Sequence, residues 1–133
     1  VVHDDFGAAR TATQHLLDLG HRDIALIGGD RHNYAARERE KGYLAAIHDA
    51  GMRRRSAWVV DRPYKPEAGR LALRDLCTAR KRRPTAVVVA NIHAALGALE
   101  GAREVGLRVP DQLSVSPCAS AGIVIASGTG ADR

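Results

Sequence analysis

The chain has 133 residues, with 45% hydrophobic and 26% charged, which is ordinary globular composition and enough for one domain around one core. No apolar run approaches the roughly 20 residues of a membrane span, and the start, Val1-Val2-His3-Asp4-Asp5, has neither the basic nor the apolar part of a signal peptide. The formal charge of +5 is concentrated in Arg53-Arg54-Arg55 and Arg80-Lys81-Arg82-Arg83; both runs lie in expected connections without interleaved aromatics and read as solvated loops, with a nucleic-acid or acidic-partner patch as the alternative.

Taken in order, Val1-Val2 reads as the end of a strand, and Asp4 or Asp5 can cap a helix over 7–19 whose residues Ala8, Ala12, Leu16 and Leu19 keep helical spacing. Gly20 supplies a left-handed stop. Ile24 to Ile27 form a strand, and 28–35 form a polar loop at its C-terminal end. A helix over 37–50, with Tyr43, Ile47 and Ala50 on one face, ends at Gly51; Trp58-Val59-Val60 is the next strand. Pro63 and Pro66 punctuate the following loop. A helix over 67–79 buries Leu71 and Leu76, and the apolar strand 86–90 suits a position covered on both faces. A helix over 93–105 turns Ala95, Leu96, Leu99 and Ala102 inward and stops at Gly106, and Leu113-Ser114-Val115 begins a fifth strand.

Strands alternating with helices imply an α/β fold, an open doubly wound parallel sheet with helices on both faces. Ligands of such sheets collect at the C-terminal ends of the strands. The loops there hold Asp4 and Asp5; Asp30, Arg31, His32, Asn33 and Tyr34; Asp61, Arg62 and Tyr64; and Asn91 and His93, with Arg37 and Arg39 opening the second helix beside them. Arginine forks, amides that donate and accept, and an aromatic ring that stacks suit a polyhydroxy or heterocyclic small molecule. Each has a plainer alternative: Arg39 paired with nearby Glu on an exposed helix face, Tyr64 packed on Pro63 or Pro66, and Asn91 as only a helix cap.

The six histidines form no ligand cluster, and Cys77 and Cys118 stand apart as ordinary reduced thiols. There is no GxSxG elbow, HExxH or P-loop lysine, and Gly28-Gly29-Asp30 is too short for a dinucleotide fingerprint. The chain therefore reads as a non-enzyme without metal or cofactor. One enzyme-like alternative is a receiver-type phospho-acceptor built from Asp4-Asp5 and Asp61. Against it, Asn91 and Pro117 stand near where such a domain needs Ser or Thr and Lys.

Four phrases carry a resemblance: LLDLGHRDIALIGG (16–29), ARERE-KGYLAAIHDAG (36–51), RPTAVVVAN (83–91) and ALGALEGAREVGLRVPDQLSV (95–115). Together they resemble the effector-binding domain of LacI/GalR-type bacterial transcription regulators. The resemblance implies the C-terminal lobe of a two-lobed, periplasmic-binding-protein-like fold over residues 1–115. A sugar- or nucleobase-class effector would lie between the lobes, and a separate helix-turn-helix headpiece, absent from this chain, would grip operator DNA in a cytoplasmic homodimer with no membrane association. It places Arg39, in the R-x-x-G pattern ending at Gly42, on the effector, Tyr64 stacked on it, and Asn91 in contact with it. The chain departs from the family at Ile92, where Asp is usual, and from Ser116 onward, where Ser116-Pro117-Cys118-Ala119 replaces a Gly-x-Asp-Asp stretch. Residues 116–133 are thus expected to be a divergent, poorly ordered tail, and the chain a truncated or frame-shifted relative. A competing expectation is a vestigial or interaction-only domain with no competent pocket.

Overall fold

The computed structural model describes residues 4–53, 55, 58–60, 66–78 and 82–118. Val1-Val2 and the segment from Ala119 onward lie outside them. The elements in chain order are α1 (Asp5–Asp18), β1 (Ile24–Ile27), α2 (Tyr34–Asp49), β2 (Val59–Val60), α3 (Pro66–Thr78), β3 (Ala86–Val89), α4 (Ile92–Glu104) and β4 (Ser114–Pro117). β4 therefore continues two residues past Val115.

Local chemistry explains the helix ends. Asp4 caps α1, its Oδ1 accepting from the Gly7 amide at 2.8 Å. Asn33 caps α2 by accepting from the Ala35 amide at 2.8 Å, so this helix begins at Tyr34, three residues before the expected Arg37. At the other end of α1, Gly20 adopts φ 96. Its amide donates to Leu17 O at 3.0 Å and that of His21 to Leu16 O at 3.1 Å, the paired closure of a Schellman cap. α2 and α4 end the same way at Gly51 and Gly106.

The four strands form one sheet of order β2-β1-β3-β4 with every neighbouring pair parallel. β1 and β3 pair from Ile24↔Ala86 to Ile27↔Val89. β1, β3 and β4 are buried at every position, as strands covered on both faces must be. Alternate residues feed two cores. Ile24, Leu26, Ala86 and Val88 meet Leu16, Tyr43 and Ile47 of α1 and α2; Ala25, Ile27, Val87, Val89, Leu113 and Val115 meet Leu73, Leu76, Ala95 and Ala98 of α3 and α4.

Some expected core positions change. Leu96 is 55% exposed rather than inward. The buried face of α4 is Ala94, Ala95, Gly97, Ala98, Gly101 and Ala102, and a stripe of small residues wins because α3 approaches closely: a Cβ on Gly101 would stand 2.6 Å from Arg70 O and one on Gly69 2.5 Å from Ala94 O. α1 buries Ala9, Ala12, Thr13 and Leu16, leaving Ala8 and Leu19 half-buried, and α3 buries Ala72, Leu73 and Leu76 with Leu71 half-buried.

The segments that enter the strands are tied by polar contacts. His21 is buried, with Nδ1 2.8 Å from Thr85 Oγ1 and Nε2 3.1 Å from Ser114 Oγ, so one ring spans the approaches to β1, β3 and β4. Asp23 pairs with Arg82 at 2.7 Å.

Candidate functional site

The strands' C-terminal ends are laced by main-chain bonds beyond the sheet ladder. Gly28 N donates to Val60 O at 3.0 Å, Ala90 N to Ile27 O at 2.9 Å and Cys118 N to Val89 O at 2.7 Å. This aligns the loop after β1, the Ala90-Asn91 step after β3 and Cys118 after β4 along one edge. From β1 the chain runs outward through α2 to β2, and from β3 outward through α4 to β4, with the two helices on opposite faces. The loops after β1 and β3 therefore diverge and open a crevice, the switch point of an open parallel sheet.

Arg39 lies in the second turn of α2. Its Nη2 is 3.3 Å from Asp5 Oδ1 in the first turn of α1, and only 13% of the Arg39 side chain and 20% of that of Asp5 reach solvent. This sheltered contact between helices is one that the plainer reading, Arg39 pairing with Glu on an exposed helix face, did not include. Gly42 makes the contact geometrically possible: a Cβ there would stand 2.1 Å from Phe6 O and 3.0 Å from Arg10 N, so α2 rests on the first turns of α1. Arg10 and Asp49 hold the same two helices with a pair at 2.9 Å.

Cys118 follows β4 at the same end of the sheet. Burial pushes its thiol up to about 12, the Arg39 guanidinium opposes the rise and the Asp5 carboxylate adds to it, so both groups lie within electrostatic reach of the sulfur. Asn91 is partly buried and caps α4, its Oδ1 accepting from Ala94 N at 2.8 Å. The cap role uses the carbonyl oxygen, one of the two polar ends of the amide. Tyr64, with Asp61 and Arg62, lies outside the described residues. In the loop after β1, Asp30 accepts from His32 N at 2.9 Å, and Arg37 Nη1 donates to Arg31 O at 3.2 Å and His32 O at 3.0 Å.

The structure thus brings Arg39 to the end of the sheet where Asn91 also sits, sets Asp5, one of the acids expected in these loops, against it, and adds Cys118, which sequence reasoning missed as a site residue. Asp4-Asp5 read as alternative caps and as loop acids at the strand ends, and what the sequence did not offer was the pairing of Asp5 with Arg39. The only available signal was the Gly42 of R-x-x-G, a residue small enough to let two helices touch. The receiver-type arrangement loses support at Asp4 and Asp5, because one carboxylate caps α1 and the other meets Arg39. Among the described residues no three His, Cys, Asp or Glu side chains gather as a metal-binding group, and no helix is long and apolar enough to cross a membrane. A separate open groove lies on the outer face of α3 and α4, lined by Glu67, Arg70, Leu96, Gly97 and Glu100.

Comparison with known proteins agrees with this architecture. Residues 13–123 match the family model of the periplasmic binding protein-like domain. The chain is 38% identical over 115 residues to the HTH-type transcriptional repressor PurR of Erwinia tasmaniensis, covering 86% of this chain and 33% of that protein. It is 36% identical, with the same coverage of each, to PurR of Yersinia enterocolitica. Among solved structures, a LacI family transcriptional regulator from Mycobacterium smegmatis superposes with a TM-score of 0.81 at 42% identity, over 88% of this chain and 43% of that one. The complex of the transcriptional regulator CelR with cellobiose superposes with a TM-score of 0.78 at 36% identity, over 84% of this chain and 34% of that one. The chain spans about a third of the length of the curated relatives it matches. With its parallel sheet and these likenesses, the chain belongs to the periplasmic binding protein-like domain family, and over most of its length it is similar to LacI-family transcriptional regulators.

Proposed function

We propose that residues 1–115 form the effector-sensing lobe of a transcriptional regulator. A sugar or nucleoside-like molecule is held between this lobe and a second one, with Arg39, Tyr64 and Asn91 as its contacts here. The observation that carries the reading is the placement of Arg39: a guanidinium sheltered at the C-terminal end of a parallel sheet, at the crevice where open α/β sheets take their ligands. The relatives' names support the rest. PurR is an HTH-type transcriptional repressor and CelR is seen with cellobiose. In this reading the protein acts in the cytoplasm as a homodimer, and operator DNA is gripped by a helix-turn-helix headpiece outside the residues described. Effector binding changes that grip by favouring one arrangement of the lobes. The protein performs no covalent chemistry and needs no metal or cofactor.

The test is a thermal-shift screen of sugars and nucleosides against the full-length protein, with and without Arg39→Ala. A ligand that raises the melting temperature of the parent and not of the variant supports the reading; stabilisation that survives the change removes Arg39 from the site. The interaction-only reading predicts instead a stable oligomer, by sedimentation, whose mass and melting temperature no ligand moves.

A further inference from the structure

Asp5 is the acid that sits on Arg39, and its position is fixed from several sides. The neighbouring Asp4 carboxylate is committed to the Gly7 amide. α1 is held against α2 by the bare Cα of Gly42 over Phe6 O and by the Arg10–Asp49 pair. Four-fifths of the Asp5 side chain is out of solvent, with the Arg39 guanidinium 3.3 Å away as its countercharge.

The other arginines at this end are also engaged. Arg31 lies 3.5 Å from Glu40, and Arg37 donates to the carbonyls of Arg31 and His32. Among the described residues, then, the arginines of the crevice arrive with acceptors already in place.

A bare arginine fork is a receptor for carboxylate or phosphate. An arginine carrying a carboxylate is a different receptor, offering N–H donors and an acceptor oxygen side by side. Hydroxyl groups both donate and accept and match that surface. An anionic group must either displace Asp5, leaving its carboxylate sheltered and uncompensated, or approach it and be repelled.

We propose that Asp5 is the specificity-determining residue for effector charge: it makes the Arg39 subsite select neutral polyhydroxyl or nucleoside ligands and exclude their phosphorylated or carboxylated counterparts. This rests on the effector-binding reading above.

The test uses the full-length protein and a matched set of probes: glucose, galactose, cellobiose and adenosine, with glucose 6-phosphate, galacturonate and AMP as charged counterparts. Binding is read by thermal shift and calorimetry. A neutral probe binds the parent and its charged counterpart binds at least about tenfold more weakly. Asp5→Asn narrows that ratio by about tenfold, and Asp5→Glu keeps it. Where Asp5→Asn does not fold, the parent alone suffices, since the discrimination shrinks as added salt screens the repulsion.

A charged counterpart that binds the parent as tightly as the neutral probe overturns the proposal, as does a ratio that a folded Asp5→Asn leaves unmoved or, where that variant does not fold, one that salt leaves unmoved. If no probe binds the parent or Asp5→Asn, the effector-binding reading fails and this proposal falls with it. Binding that is charge-selective but survives Arg39→Ala overturns the Arg39 subsite while leaving effector binding intact, so the failures are separable.

Discussion

His21 shows how much one side chain can organise. Both ring nitrogens meet buried hydroxyls on different approaches to the sheet. His21→Ala removes both contacts and leaves a void, and we expect it to cost about 2–4 kcal/mol, read as a lower denaturant midpoint at unchanged m-value. Tyr43 is a milder case. Its side chain is fully buried and its hydroxyl donates to Ile24 O at 2.5 Å, so Tyr43→Phe should cost about 1 kcal/mol, more than a typical surface change, by the same measurement. The two cysteines give a pH prediction. Burial raises the Cys77 thiol to about 11 against the pull of Arg83, and that of Cys118 to about 12. A thiol whose folded pKa lies above its unfolded one contributes nothing that varies below the unfolded value. Above it the unfolded chain loses its proton first, so stability falls as pH rises from about 9 toward 11 and 12. At pH 8 both thiols should react with a disulfide reagent far more slowly in the native protein than in guanidinium; equal rates would contradict their placement. The histidine at 21 was legible as a residue after a helix stop. Its partners were not, because Thr85 and Ser114 lie 64 and 93 residues away.

At the level of elements, glycines decide how close helices come. α2 meets α1 through Gly42, and α3 meets α4 through Gly69 and Gly101. Gly42→Ala puts a methyl group into a backbone carbonyl that has no flexible end to move aside. It should cost about 1–3 kcal/mol and shift Arg39 away from Asp5, which under the proposed function weakens effector binding as well as stability. Gly101→Ala meets the same obstacle on the other face, 2.6 Å from Arg70 O, and should lower the denaturant midpoint without touching the Arg39 site. A cost in Gly42→Ala no larger than that of a surface substitution would refute the close approach. The periodicity of the sequence found each of these helices, and its Gly stops marked where three of them end. It assigned Leu96 to the core because a large apolar side chain on a helix usually goes inward. The helix rotates the other way because only small residues fit the spacing that α3 imposes.

For the whole molecule, the consequence of the fold is that groups distant in sequence arrive at one edge. A ligand held there stabilises the folded state in proportion to its occupancy, by roughly 2.7 kcal/mol at a hundredfold excess over Kd. That coupling should vanish in Arg39→Ala and, for charged probes, emerge in Asp5→Asn. By itself the sequence determined the alternation of helices and strands, the helix stops, the parallel sheet with two covered faces, and the family to which the chain belongs. Those features follow from local spacing, capping chemistry and turn glycines, which act within a few residues. It also singled out Arg39 and Asn91 as polar groups expected at the strand ends. Only the tertiary structure decided that Arg39 meets Asp5, that Cys118 comes within electrostatic reach of both, and that His21 ties three strand approaches together. Those contacts depend on how α1 seats against α2 and how parallel strands bring remote segments side by side. Their distances are set by close packing across the fold, which no local pattern in the chain encodes.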